Sequence, residues 1–369
     1  MSETAHRRRP ASEAARVLAA HAAVTEERRR PAPESIAAVR DAGLFALTVP
    51  AEAGGLGASA REQCEAVIAL GRGCPSTAWV TALSAGAKAI LLASTSDSAR
   101  AALLADPHAI VCGSGATRGV STHPATAADA ADGVIVSGRW TMASGCEDAD
   151  WAMLMAPGVG ALMVETTHLT VERTWHVAGM AGTGSHTLVA DGLHVPADRV
   201  IPRPALSPGA NLAGVVGMLA PLAGATLAMR DIVAALLAGD KAPYGSRYAR
   251  IADSPSARTW FTDAERLAAS AEQRLLRTAG LVDAGDPLTL PTRVRLRADL
   301  TTAARECRQA TEKLLDLGGT SGFALDQPLQ RLWRDVEVGS RHPQFNPYLA
   351  EDDLGGVLTG AGEPMSVMV

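Results

Sequence analysis

Aromatic side chains are scarce in this chain. Six Trp, three Tyr and four Phe make up 4% of its 369 residues, so each Trp stands out, although core packing is its ordinary use. A surplus of charge of one sign is also lacking. Against 39 Asp plus Glu stand 34 Lys plus Arg, a net charge of -5, which leaves no electrostatic footprint for nucleic acid or an anionic membrane. The five cysteines, Cys64, Cys74, Cys112, Cys146 and Cys307, are an odd number and form no C-x-x-C pair. That pattern fits reduced thiols in a cytoplasmic protein rather than a disulfide framework. His176, His186 and His194 have no carboxylate or thiol at ligand spacing, so no metal site is expected. The first residues, MSETAHRRRPASEAARVLAAHAAV, mix basic and acidic side chains without a continuous apolar segment and do not read as a secretory signal.

One uncharged run, Leu212 to Met229, is long enough to cross a bilayer. Pro221, Gly214, Gly217 and Gly224 interrupt it and Gly209 precedes it, so the preferred reading is a buried central helix of a bundle, with no membrane as partner. Chain length is ample for two or three structural units. Helical spacing runs through Ser12–Arg28, Pro33–Ala42, Ala60–Gly71 and Ser76–Ala93, with Pro50, Gly54, Gly55 and Gly57 turning a corner between them. The period then changes. Strands are expected at Ala109–Gly113, Gly133–Trp140, Trp151–Ala156, Gly160–Glu165, Leu169–Arg173 and Thr187–Val195, which suggests a small barrel or sandwich. Helical spacing returns at Leu212–Ala238, Ala257–Ala284, Thr289–Leu317 and Gln327–Ser340. The expectation is a mainly α protein with a central β domain: a helical domain over 1–108, a β-barrel or sandwich over 109–205, and a four-helix bundle over 206–369. Abundant Ala and Gly predict close helix packing.

The stretch VIVSGRWTMASGCEDADW, Val134 to Trp151, organises the middle of the chain. Val134, Val136 and Trp140 follow the period of a half-buried strand, and Gly138 marks a bulge or close backbone approach. Ala143-Ser144-Gly145 breaks the strand and is expected to leave the Ser144 hydroxyl free to face a ligand. As an ordinary turn residue Ser144 would need no ligand. GTGS at residues 182–185 is a second small-residue turn. His342, after the last bundle helix, has the residue type for proton work, or else caps a helix C-terminus.

SGRW followed by ASGCEDADW, then WHVAGMAGTGSHTLVADGLHVPADRV, then LQRLWRDVEVGSRH resemble, in that order, the acyl-CoA dehydrogenase superfamily. Within it, they resemble the two-component (group D) flavin monooxygenases, which take reduced flavin from a separate reductase. The resemblance implies the three-unit fold, a flavin site, and oxygenation of a small-molecule substrate through a peroxyflavin. It implies FMN supplied reduced in trans, or FAD, a flavin reductase as partner, and a homodimer or homotetramer. Ser144 with Ala143 would lie against the central flavin nitrogen, beside Trp140. Cys112 and Ser114 would meet the pyrimidine edge, and Thr183 and Ser185 the phosphate-bearing tail. Arg258 would contact a cofactor across a dimer interface, and His342 would be the catalytic histidine.

Two departures bear on chemistry. Acyl-CoA dehydrogenases carry a catalytic glutamate, yet the C-terminal stretch reads QFNPYLAEDDLGG instead of the family's tyrosine-glutamate-glycine-threonine pattern. Tyr244 to Asp253 also lacks Glu, which leaves Glu351 as the candidate base for a dehydrogenase alternative. Phenol-hydroxylating members carry a histidine in the helix following CPSTAW, where this chain reads SAGAKAILL. Ala87 or Lys88 stands in its place, with Trp79 and Lys88 as the substrate-side candidates. A different substrate is then expected, for example a polyketide or amino sugar in antibiotic biosynthesis, making the enzyme a hydroxylase or N-oxygenase. A redox-neutral or non-catalytic homologue is the third reading.

Overall fold

The computed structural model describes residues 3–124, 132–202 and 207–366; the expected junction at 205 and 206 lies outside them. Six helices open the chain: α1 (Glu3–Ala20), α2 (Ala22–Arg28), α3 (Pro33–Asp41), α4 (Ala60–Gly73), α5 (Pro75–Ser94) and α6 (Asp97–Leu104). The single helix expected over Ser12–Arg28 is broken at His21. α4 starts with a reciprocal capping box between Ser59 and Glu62, which satisfies two otherwise orphaned amides. α6 was not foreseen.

Eight strands follow among the described residues: β1 (Val111–Ser114), β2 (Ala116–Pro124), β3 (Val134–Ala143), β4 (Trp151–Ala156), β5 (Gly160–Glu165), β6 (Thr170–Glu172), β7 (His186–Val195) and β8 (Val200–Ile201). They form two four-stranded sheets, β1-β4-β5-β8 and β2-β3-β7-β6. Cys112, Val136, Trp140, Leu154, Leu162 and Leu188 fill a shared core, so the unit is a sandwich. β2 and β8 escape the pattern of alternating apolar residues. Gly138 does mark a bulge: the β3–β7 register shifts between Val136 and Gly138. A Cβ there would stand 2.8 Å from the Val120 Cα, too close for any larger residue.

The last five helices are α7 (Pro208–Ala238), α8 (Pro255–Asp283), α9 (Leu290–Gly318), α10 (Pro328–Gly339) and α11 (Pro347–Thr359). α7 is the buried centre, and α8 and α9 pack against it within one apolar core that also takes in α1, α4 and α5. α4 and α7 cross backbone to backbone: a Cβ on Gly71 would collide with the Pro221 carbonyl, and one on Gly224 with the Ile68 carbonyl. Small residues are therefore the condition for this helix contact. α11 was not anticipated, and α10 is only 12 residues long.

Candidate active site

A cavity of about 460 Å³ lies where α4, α5, α7 and the end of β1 meet. Its walls include Thr48, Gln63, Ala87, Ser114, Met153, Met155, Asn211, Met218, His342 and Gln344. Another hollow, about 300 Å³ beside α1 and α4, is walled by Arg61, Arg72 and Glu272 and touches none of the residues singled out in the sequence.

His342 is held on the cavity wall from several sides. α10 stops at Gly339, Arg308 of α9 donates to the Ser340 carbonyl at 3.1 Å, and Pro343 starts a short 3-10 turn. The imidazole sits edge-on to Trp79 at 5.7 Å and to Phe345 at 6.2 Å. Its Nδ1 accepts the Gln344 backbone N–H at 3.3 Å, which assigns the ring proton to Nε2. Burial pushes the imidazole pKa down to about 4. At neutral pH His342 is therefore an uncharged Nε2–H donor, and it caps the turn that follows it rather than the C-terminus of α10.

Ser114 is the other sequence-predicted residue on the wall. Its hydroxyl donates to the Thr141 carbonyl at 2.6 Å and accepts the Ala116 N–H at 3.1 Å. Toward a ligand it can act only through its remaining lone pair.

Ser144, Thr183 and Ser185 do come together, but not with free hydroxyls. Thr183 Oγ1 donates to the Met180 carbonyl at 2.8 Å. Each hydroxyl has one proton, so Ser185 must donate to Thr183 across 2.6 Å and Ser144 must donate to Ser185 across 2.8 Å. The expectation of a free Ser144 hydroxyl is corrected: its proton is committed inside the protein, and all three side chains are buried. The Gly145 N–H donates to the Thr183 carbonyl at 2.7 Å and ties the two turns together. Each contains or adjoins a methionine with left-handed backbone, Met142 (φ 59°) and Met180 (φ 54°), a conformation that surrounding contacts have to enforce.

At Met180, one residue that sequence reading passed over enforces it. Asp335 of α10 is fully buried and accepts the Met180 N–H, while the Met180 carbonyl takes the Trp175 indole N–H at 3.0 Å and the Thr183 hydroxyl. Burial pushes the Asp335 carboxyl up to about 7, against the lowering effect of that N–H. A signal existed: Asp335 interrupts the apolar face formed by Leu329, Leu332, Val336 and Gly339.

The remaining candidates lie elsewhere. Lys88 is not a cavity residue: its Nζ donates to the carbonyls of Phe45 and Pro107, both at 2.7 Å, with burial lowering its pKa to about 8. Its neighbour Ala87 faces the cavity instead. Trp140 fills the sandwich core and its indole N–H bonds the Met155 carbonyl at 2.7 Å; Cys112 and Ala143 are buried in the same core. Arg258 is exposed near the start of α8 and bonds the Ala252 carbonyl at 2.7 Å. Glu351, the base of the dehydrogenase alternative, is exposed on α11 and paired with Arg305 at 2.9 Å. Among the described residues no group of three His, Cys, Asp or Glu is placed to hold a metal.

The acyl-CoA dehydrogenase N-terminal domain family matches residues 2–106, and the acyl-CoA dehydrogenase C-terminal domain family residues 217–347. The oxygenase component of the FADH(2)-dependent resorcinol hydroxylase from Rhizobium sp. (strain MTP-10005) is 32% identical, covering 87% of this chain and 86% of that one. The chain belongs to the flavin-dependent monooxygenase branch of the acyl-CoA dehydrogenase superfamily. A second member, the oxygenase subunit HsaA of a flavin-dependent monooxygenase from Rhodococcus jostii (strain RHA1), is 28% identical over 92% of this chain and 93% of its own. Among solved structures of the family, XiaF from Streptomyces sp., in complex with FADH2 and glycerol, superimposes with a TM-score of 0.89 at 27% identity. That match covers 99% of this chain and 98% of XiaF.

Proposed function

We propose that the chain is the oxygenase component of a two-component system. It would take reduced flavin, FMN or FAD, from a separate reductase and insert one oxygen atom of O2 into a small molecule, the other leaving as water. The observation that carries this reading is His342: an uncharged imidazole, protonated at Nε2, on the wall of a cavity with no carboxylate among its described lining residues. A dehydrogenase needs a carboxylate base, and Glu351 is paired with Arg305 on the surface.

The residues present fit a flavin ring. Isoalloxazine is flat and mostly apolar with a polar edge, and the cavity offers apolar walls with the Ser114 oxygen at the β1 end and the His342 donor. When bound, the reduced flavin supplies the electrons that activate oxygen. His342 would hold its proton at Nε2 and present it to oxygen within the cavity, and the apolar walls would exclude water. Ser144, with its proton given to Ser185, would contribute only lone pairs and the backbone of its turn. Thr183 and Ser185 would keep that turn rigid, with Trp140, Cys112 and Ala143 as the packed layer behind it. Arg258 would reach a cofactor only across a subunit interface, and the exposed Tyr244, Tyr248, Trp260, Phe323 and Leu325 support a homodimer or homotetramer formed through the α7–α10 region. The cytoplasm is the proposed location.

The test measures product and hydrogen peroxide per flavin oxidised, with a reductase and NADH, in wild type and His342→Ala. The expected result is intact folding, less product and more peroxide in the variant. Coupling that survives in His342→Ala, or anaerobic dye reduction by an acyl-CoA, would overturn the reading.

A further inference from the structure

We propose that Asp335 is a positioning residue: from α10, the helix that leads to His342, it holds the turns carrying Ser144, Thr183 and Ser185 in place to receive flavin. The role rests on the monooxygenase reading and deepens it. α10 grips residues 178–180 at consecutive points. Arg334 Nη1 donates to the Ala178 carbonyl and to Glu26 of α2, while its Nε donates to the Gln330 side chain at 2.8 Å. Gly179 lies so close on α10 that a Cβ there would stand 2.0 Å from the Arg334 carbonyl oxygen. Asp335 then accepts the Met180 N–H. Three successive contacts leave the segment no freedom to slide along the helix.

Met180 is the joint. Its left-handed backbone (φ 54°, ψ 25°) persists only while its surroundings over-determine it. The donors to its carbonyl, the Trp175 indole and the Thr183 hydroxyl, belong to its own segment; its hydrogen bond to α10 is the one to Asp335. The same carbonyl is where the donors from Ser144 through Ser185 and Thr183 end, so a rotation of Met180 releases the whole chain. The helix behind the joint is itself fixed: a Cβ on Gly339 would stand 2.7 Å from Leu222 of α7, and Arg308 of α9 holds the Ser340 carbonyl. An apolar residue would fit beside Leu332 and Val336 without the cost of burying a carboxyl. What the carboxyl adds is the acceptor aimed at Met180.

The experiment compares Asp335→Leu, which keeps the shape and removes the acceptor, with Asp335→Asn, which keeps a carbonyl acceptor; Asp335→Ala replaces the first if it does not fold. Trp175, bonded to the Met180 carbonyl at 3.0 Å, is the reporter. Fluorine NMR of flavin-free protein labelled with fluorotryptophan, with the signal assigned by Trp175→Phe, reads the joint directly. Asp335→Leu is expected to move that signal and to weaken binding of reduced FMN and reduced FAD, measured anaerobically, by about ten-fold or more, the scale of one buried hydrogen bond. Asp335→Asn is expected to keep the wild-type signal and an affinity within about three-fold of wild type. Leu332→Ala, which removes packing from the same helix, is expected to lower the melting temperature and leave the Trp175 signal in place. In Asp335→Leu, an unmoved signal or an affinity within about three-fold of wild type overturns the positioning role, as does an equal loss in Asp335→Asn or an equal shift in Leu332→Ala. Wild-type protein that binds neither reduced flavin refutes the monooxygenase reading itself; wild-type protein that binds one, with Asp335→Leu binding it equally well, refutes only the role of Asp335.

Discussion

The two buried titratable groups of the region, His342 and Asp335, should cancel in the pH dependence of stability, and substitution should expose each one. His342 is depressed from 6.5 to about 4, so its stabilising contribution is present above pH 6.5 and is lost as pH falls through the folded value. Asp335 is raised from 3.8 to about 7, so its contribution is present below 3.8 and is lost as pH rises through 7. Each displaced proton changes the unfolding free energy by roughly 1.4 kcal/mol per pH unit, with opposite signs for the two groups. Between about pH 4 and 6.5 the pair therefore contributes a nearly flat profile in the wild type. His342→Gln should gain stability relative to wild type as pH falls across that window, by up to about 3 kcal/mol, reduced because the largely buried residue keeps some exposure to solvent. Asp335→Asn should lose stability relative to wild type over the same range, by up to about 4 kcal/mol. Urea unfolding in steps of pH reads the differences, and the ring-proton shift of His342 by NMR reads its titration directly. Parallel stability profiles for wild type and His342→Gln, or a histidine titrating near 6.5, would refute the assignment of a buried neutral imidazole.

Three further outcomes follow from the packing. Lys88→Met strips two buried carbonyls of their donor and should cost about 2–4 kcal/mol of stability while leaving ligand affinity unchanged, read by thermal unfolding and calorimetry; a changed affinity would return Lys88 to the substrate side. Gly71→Ala puts a methyl group into the Pro221 carbonyl and should destabilise by about 1–3 kcal/mol or more, whereas Gly86→Ala, which meets nothing within 4 Å, should be neutral or stabilising by about 1 kcal/mol; equal melting temperatures would contradict the α4–α7 crossing. Glu351→Gln breaks an exposed pair and should change stability by less than about 1 kcal/mol with product yield intact; lost turnover would revive the dehydrogenase alternative.

Much of this protein was legible locally. Helical and strand periods, the proline and glycine punctuation and the bulge at Gly138 are encoded by spacing between near neighbours, and the quoted blocks around Ser144, Thr183 and His342 sufficed to name the superfamily. β2 and β8 left little trace because ATRGVSTHP and a two-residue strand carry no sustained alternation. α11 contains a glycine pair and exposed apolar residues that blur its period.

The site itself depended on long-range partners. Ala87 and Lys88 are adjacent in the chain but differ by about 100° around a helix, and only the carbonyls of Phe45 and Pro107 decide that the lysine turns away and the alanine faces the cavity. The residues flanking Ser144 predict its turn, yet the fate of its proton is fixed 41 residues away at Ser185, by a chain of donors that ends on the Met180 carbonyl as acceptor. Sequence likewise supplied a histidine at 342, but its tautomer and lowered pKa come from the Gln344 amide and from burial. Spacing fixes which way a side chain leaves its own backbone; what it meets there, and hence its charge and its freedom to donate, is decided by tertiary packing.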